Sequence, residues 1–207
     1  MNSETALEQL GMLDKLTKNM RLAAEEWKDD WQTLISIILS ARTRDETTIA
    51  AANKLFKEFP NAKTLAGSNS KDIEEIIRPV NYYKTKSRNI IACSKRIIEE
   101  YKGKVPKAEE DLLKLPGVGR KTANVFLSEI GKDGLGVDTH VAYISQKLGW
   151  TENSNPHKIE MDLKSLFPQK EWKKVNPILV RFGKTYISKK KQDEMIEQIK
   201  KGNLSSP

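Results

Sequence analysis

At 207 residues with 38% hydrophobic content, the chain is long enough to bury a core and fold unaided. Its 36 Lys and Arg against 28 Asp and Glu give a formal net charge of +8, which favours a polyanionic partner such as nucleic acid without establishing one. One cysteine excludes an internal disulfide and cannot by itself build a four-cysteine zinc or iron–sulfur site, and the two histidines, His140 and His157, have no carboxylate or thiol companions at ligand spacing, so no metal is expected.

The opening stretch MNSETALEQL lacks the basic start and apolar centre of a signal peptide, and no run approaches the ~18 apolar residues of a membrane span. The expectation is a soluble, intracellular protein with no membrane partner. From there the apolar periodicity is helical almost throughout and strand-like alternation is not evident, so the expected fold class is all-α. Leu34, Ile35, Ile38 and Leu39 form one stripe, and Ile90, Ile91, Ile97, Ile98 and Tyr101 another. Cys93, set among the isoleucines of the second stripe, reads as a buried structural thiol. Helix breaks are marked by FPNAKT at 59–64, GSNSKD at 67–72, YKGKVPK at 101–107 and LPGVG at 115–119. GKDGLG, Gly131 to Gly136, is the best candidate hinge or boundary. KTYISKKKQDEMIEQIKK, 184–201, reads as one basic helix with a solvated face, and GNLSSP, 202–207, as a disordered tail.

The most informative stretch is LPGVGRKTANV, Leu115 to Val125. A helix ending near Lys114, a five-residue turn and a second helix from about Arg120 make a helix-hairpin-helix. Pro116 fixes φ at the turn's entry, and Gly117 and Gly119 are expected to permit close backbone approach and positive φ. The amides at the second helix's N-terminus, with the helix dipole behind them, can hold a phosphate without reading a base, so the element grips a nucleic-acid backbone of any sequence. Arg120 and Lys121 add charge there. Ala123, Phe126, Leu127 and Ile130 follow at helical spacing as a buried face, with Lys121, Asn124 and Ser128 on another face, so that Lys121 is offered to a cleft. The plainer alternative for PGVG is an ordinary helix–helix turn.

LPGVGRKTANVFL, followed by GVDTHV at 136–141, resembles the helix-hairpin-helix and Gly/Pro-rich-loop-Asp signature of the endonuclease III family of DNA glycosylases. The likeness continues through LISIILSARTRDETT (34–48), YYKTKSRNI (82–90) and LVRFGKTYI (179–187), about three quarters of the chain. It implies a helix-hairpin-helix glycosylase fold in which two helical domains flank a DNA-binding cleft: a six-helix barrel with the hairpin at 23–133, and a second domain from 1–22 and 134–207. It also implies that Lys121 is the nucleophile and Asp138 the catalytic carboxylate. A neutral lysine amine would attack C1′ of a damaged nucleotide, displace the base and leave a Schiff base that acidifies the 2′ proton, and β-elimination would then break the strand 3′ to the lesion. Asp138 would stay ionised and stabilise positive charge developing on the sugar. Capping of the next helix by Asp138 or Thr139 is the structural alternative.

The resemblance further places Arg42 and Tyr82 at two wedge positions, one entering the space left by a flipped nucleotide and the other intercalating on the opposite strand; bacterial relatives commonly have glutamine at the first and glycine where this chain has Asn81. Leu115, Pro116, Gly117, Val118, Gly119 and Arg120 form the implied DNA-binding hairpin. His140 is read mainly as structural, with a nearby phosphate as its functional role. Many family members carry a [4Fe–4S] cluster on four cysteines. Here Ile187 stands where the first ligand would fall, no cluster is expected, and packing must replace it. Lys189 to Lys191 are expected to contact phosphates, and the hairpin can take a monovalent cation through backbone carbonyls when DNA is present. The implied activity is that of a monomeric, cytoplasmic, nucleoid-associated glycosylase and abasic-site lyase acting on oxidised pyrimidines of the thymine glycol type in duplex DNA. Its rivals are an 8-oxoguanine glycosylase/lyase and a non-catalytic helix-hairpin-helix DNA-binding protein.

Overall fold

A computed structural model describes residues 1–202, and among these the regular elements are helices alone. In chain order they are α1 Ser3–Lys15, α2 Asp30–Ser40, α3 Asp45–Glu58, α4 Ala62–Ala66, α5 Ser70–Ile76 and α6 Tyr83–Tyr101. There follow α7 Glu109–Leu112, α8 Arg120–Glu129, α9 Thr139–Leu148, α10 Pro156–Leu166, α11 Trp172–Thr185 and α12 Lys189–Lys200, with a 3₁₀ turn at Gln169–Glu171. The tail expected to be disordered lies outside the described residues, Gly202 excepted. No helix among the described residues is long and apolar enough to cross a membrane. The chain divides into two compact units, Arg21–Lys132 and Met1–Met20 with the chain from Asp133 onward, the join falling inside the Gly131–Gly136 stretch.

The 21–132 unit is built around α2. Every residue from Trp31 to Leu39 is buried, because WQTLISIIL is apolar nearly all round, and α2 packs on α3, α6 and α8. Leu34, Ile35, Leu39, Leu55, Leu65, Ile73, Ile77, Ile90 and Ile97 are sealed from solvent, each contributing about 1.5–3 kcal/mol of burial. The few buried polar groups are satisfied: Trp31 Nε1 donates to Ser94 Oγ at 3.0 Å and Ser36 Oγ to Ala23 O at 2.6 Å. Asp29 caps α2, Asn61 closes a capping box on α4 and Asn69 caps α5, so the breaks at FPNAKT and GSNSKD are made by side chains the sequence supplies there. Burial pushes the Cys93 thiol up to about 12, leaving it protonated and unreactive at neutral pH.

In the other unit α11 packs on α1 and α9, and α12 on α9 and α1. Trp150 Nε1 donates to Gln9 Oε1 at 2.7 Å, tying the end of α9 to α1. The run 184–201, read above as one basic helix, is two. α11 stops at Thr185, Tyr186–Ser188 is non-helical, and α12 buries Gln192, Met195, Ile196 and Ile199, so it is a packed amphipathic helix rather than a solvated one. The break is held by Gln192, whose Nε2 donates to Gly183 O and Tyr186 O.

Candidate active site and nucleic-acid interface

The hairpin is anchored from beneath. Leu115 and Val118 lie in the core of the 21–132 unit, so their side chains are unavailable to a partner, and their amides are used internally, donating to Leu112 O and Leu115 O. Arg96 on α6 donates to Lys114 O and fixes the first arm of the turn. Gly117 has φ +82°, and a Cβ there would meet Asn89 Cβ at 3.0 Å and Ile38 Cγ2 at 3.3 Å, so both its conformation and its space demand glycine. Gly119 corrects the expectation drawn for both glycines: its φ is −98°, it is the extended N-cap of α8, and nothing lies within 4 Å of where its Cβ would be. It gives α8 no side-chain cap. The amides of Gly119, Lys121 and Thr122 donate to no acceptor among the described residues. The result is an uncapped helix N-terminus whose open side faces outward past a residue with no side chain, which suits the approach of an anion.

Lys121, at the second position of α8, is exposed and forms no hydrogen bond or ion pair among the described residues. Arg120 beside it is paired with Glu109, Nη1 to Oε1 at 3.2 Å. The face of α8 on which Asn124 and Ser128 stand with Lys121 is not open along its length. Asn124 and Ser128 are both buried, and Asn124 Nδ2 donates to Glu109 Oε1 at 3.1 Å and Arg120 O at 3.2 Å, because α7 packs on α8 there and needs a donor for its acidic first turn. Lys121 is therefore an exposed amine above a closed polar seam.

Arg42 and Tyr82 come from two loops of the same unit, after α2 and before α6, and the structure brings them together. Arg42 Nη1 lies 3.2 Å from Tyr82 Oη, and the guanidinium carbon is 5.8 Å from the ring centroid. Both are exposed, and both hold left-handed backbone, φ +56° and +59°. Such geometry costs roughly 1–3 kcal/mol per residue and persists only where surroundings enforce it. The enforcing residues escaped the sequence reading. Asn81 Nδ2 donates to Arg42 O and its amide to Thr43 Oγ1 at 3.1 Å. Lys86, 6% exposed, donates to Leu39 O at 2.7 Å, Ala41 O at 2.6 Å and Thr43 Oγ1 at 3.2 Å. The signal for Lys86 was present, since Lys86, Ile90, Cys93 and Ile97 share one face of α6 at helical spacing. Burial pulls its amine down to about 8.

In the other unit Asp138 caps α9. Its Oδ1 accepts from the amides of His140 and Val141, both at 2.9 Å, which leaves Oδ2 with no hydrogen-bond partner among the described residues. The cap and an uncommitted carboxylate oxygen thus coexist. The loop before Asp138 is held by Asn176 on α11, whose Nδ2 donates to Gly136 O at 2.7 Å. His140 packs on α11 so closely that a Cβ at Gly183 would lie 2.2 Å from its Nδ1, so its ring is a spacer that requires Gly183.

The residues present do not fit a four-cysteine cluster. The one cysteine is buried in the 21–132 unit, and Ile187 is 89% exposed. Among the described residues no group of three or more His, Cys, Asp or Glu could hold a metal ion. Around Ile187 the chain is secured by Gln192 and by Asp193, which accepts from Tyr143 Oη at 2.6 Å and Lys147 Nζ at 3.0 Å, with Lys189 Nζ 3.6 Å over the Tyr143 ring.

The family model of the HhH-GPD superfamily base excision DNA repair proteins matches residues 35–169. Endonuclease III of Thermotoga maritima is 43% identical over 157 residues, 75% of this chain and 74% of that protein, and endonuclease III of Synechocystis sp. is 39% identical over 162 residues, 77% and 74%. A solved structure of endonuclease III trapped as a covalent intermediate with DNA matches with TM-score 0.83 at 28% identity, covering 91% of this chain and 89% of that one. A thermostable thymine-DNA glycosylase, 19% identical with TM-score 0.79, shares the fold. Within that superfamily of base excision repair proteins, the chain belongs to the endonuclease III family of DNA glycosylases and abasic-site lyases.

Proposed function

We propose that this enzyme removes oxidised pyrimidines of the thymine glycol type from duplex DNA, working as a monomer through a Schiff base on Lys121. The observation that carries the reading is Lys121 itself, exposed and unpartnered at the second position of a helix whose N-terminus is uncapped and open to a phosphate. The free amides of the hairpin grip the backbone beside the lesion, Arg42 and Tyr82 fill the space vacated by the flipped nucleotide, and the Lys121 amine attacks C1′. The base leaves with the electron pair of the glycosidic bond, the attacking nitrogen gives up a proton, and its lone pair forms the C=N bond as the C1′–O4′ bond breaks and O4′ takes up a proton. The ring-opened iminium then draws electrons from C2′, loss of the 2′ proton expels the 3′ phosphate, and water releases the enzyme. Asp138, its Oδ2 uncommitted, carries the negative charge that stabilises the cationic sugar. No step uses a metal or cluster. The substrate assignment is tested by single-turnover excision on duplexes carrying thymine glycol or 8-oxoguanine. Excision of thymine glycol at least about tenfold faster is expected, and the reverse order would make the enzyme an 8-oxoguanine glycosylase/lyase.

A further inference from the structure

Arg42 and Tyr82 lie 40 residues apart in sequence yet touch. Neither loop is stiff by itself: Tyr82 is the N-cap of α6 without a side-chain cap bond, and α2 ends at Ser40 in a chain reversal. What joins them is polar and buried. Lys86 stands one turn into α6, directly behind Tyr82, whose carbonyl accepts the Lys86 amide at 3.0 Å. Its ammonium reaches back to the C-terminal end of α2, where helix carbonyls lack intrahelical donors and the dipole favours a cation. There its three N–H groups have three acceptors: Leu39 O, Ala41 O and Thr43 Oγ1. Thr43 Oγ1 also accepts the Asn81 amide, and Asn81 Nδ2 takes Arg42 O, so one continuous set of bonds runs from α6 through both loops. A lysine held 6% exposed without a carboxylate partner among the described residues is costly for stability alone, since an apolar side chain would fill the space without desolvating a charge.

Given the base-flipping role proposed above for the two loops, we propose that Lys86 is a positioning residue that locks Arg42 and Tyr82 into a single preassembled wedge, with Asn81 and Thr43 as its relay. Lys86 touches no DNA; it acts through the two residues that enter the opened duplex. A stiff wedge lowers the cost of opening the duplex at the lesion, so the consequence falls on excision of a paired damaged base more than on a site that already lacks its base.

The test compares wild type, Lys86→Met, the double variant Arg42→Ala/Tyr82→Ala and the triple combination in single-turnover assays on a thymine glycol duplex and a preformed abasic duplex. Lys86→Met should slow excision by about tenfold and abasic cleavage by no more than about threefold, and the triple variant should be no slower than the double. Multiplied losses in the triple variant, or equal losses on both duplexes, would reduce Lys86 to a fold-stabilising residue and overturn the inference. Thr43→Val, which deletes the shared acceptor while keeping the side-chain volume, should move the ratio the same way by a smaller factor and serves if Lys86→Met folds poorly. Amide hydrogen exchange provides a readout independent of activity. Residues 40–44 and 80–86 should exchange faster together in Lys86→Met while 115–123 are unchanged, and unaltered exchange in either loop would also overturn the coupling. Wild-type protein that cleaves neither duplex would sink the glycosylase reading instead, leaving exchange to decide the coupling.

Discussion

The hairpin at 115–121 and the paired loops at 40–44 and 80–83 belong to the same unit and are both exposed to a partner, but they are held in opposite ways. The hairpin buries its side chains, Leu115 and Val118, and offers backbone amides. The loops bury a side-chain anchor, Lys86, and offer side chains, Arg42 and Tyr82, on backbone forced to positive φ. A surface made of amides presents the same chemistry to any sequence and suits gripping a phosphate. A surface made of an arginine and an aromatic ring can discriminate, at the cost of strain that its supports must hold in place. On the function proposed, grip and discrimination fall to different structural devices of one unit.

That contrast can be broken at several points. Asp138→Asn, outside both regions, sets the scale for chemistry: asparagine caps a helix as well as aspartate, so the melting temperature should stay within a few degrees while base release slows by roughly 10²-fold. Unchanged excision rates would remove Asp138 from the mechanism. Within the hairpin, Gly117→Ala forces a side chain into positive φ against Asn89 and Ile38 and should cost about 1–3 kcal/mol in denaturant unfolding. Gly119→Ala has room for its methyl and should cost under about 1 kcal/mol, yet weaken duplex affinity by roughly tenfold because the methyl adds bulk on the exposed side from which an anion would approach the open amides. If both alanines lower stability and affinity in proportion, the hairpin's outer face has no separate binding role. The smallest effect concerns pH. Lys86 titrates at about 8 in the folded chain against 10.5 when unfolded, so between those values the unfolded chain holds the extra proton. Stability of wild type relative to Lys86→Met should therefore rise with pH through that window, and parallel unfolding curves from about pH 7 to 10 would show that Lys86 is not buried as described.

The all-helical fold was legible because apolar spacing and Gly, Pro and Asn punctuation are local signals, and the caps at Asp29, Asn61, Asn69 and Asp138 turn them into helix starts. The hairpin was legible for the same reason. What misled were quantities set by neighbours distant in sequence. Asn124 and Ser128 lie where a helical wheel permits either face, yet both are buried, Asn124 against Glu109 of α7. Gly119 resembles Gly117 in sequence, but only Gly117 sits against Asn89 and Ile38. The break between α11 and α12 carries no glycine or proline and rests on Gln192 folding back onto Gly183 and Tyr186. Lys86 was visible as a lysine in an apolar register, but its partners on the far loop are more than 40 residues upstream.

Borohydride trapping on thymine glycol and abasic duplexes, with wild type and Lys121→Ala, decides whether Lys121 reacts with the sugar or merely holds DNA. Hydride reduces a Schiff base to a stable amine, so a covalent protein–DNA adduct with wild type, absent from a variant that still binds duplex, is the predicted result. Tight binding by both proteins with no adduct on either duplex would contradict it and leave Lys121 as a phosphate contact.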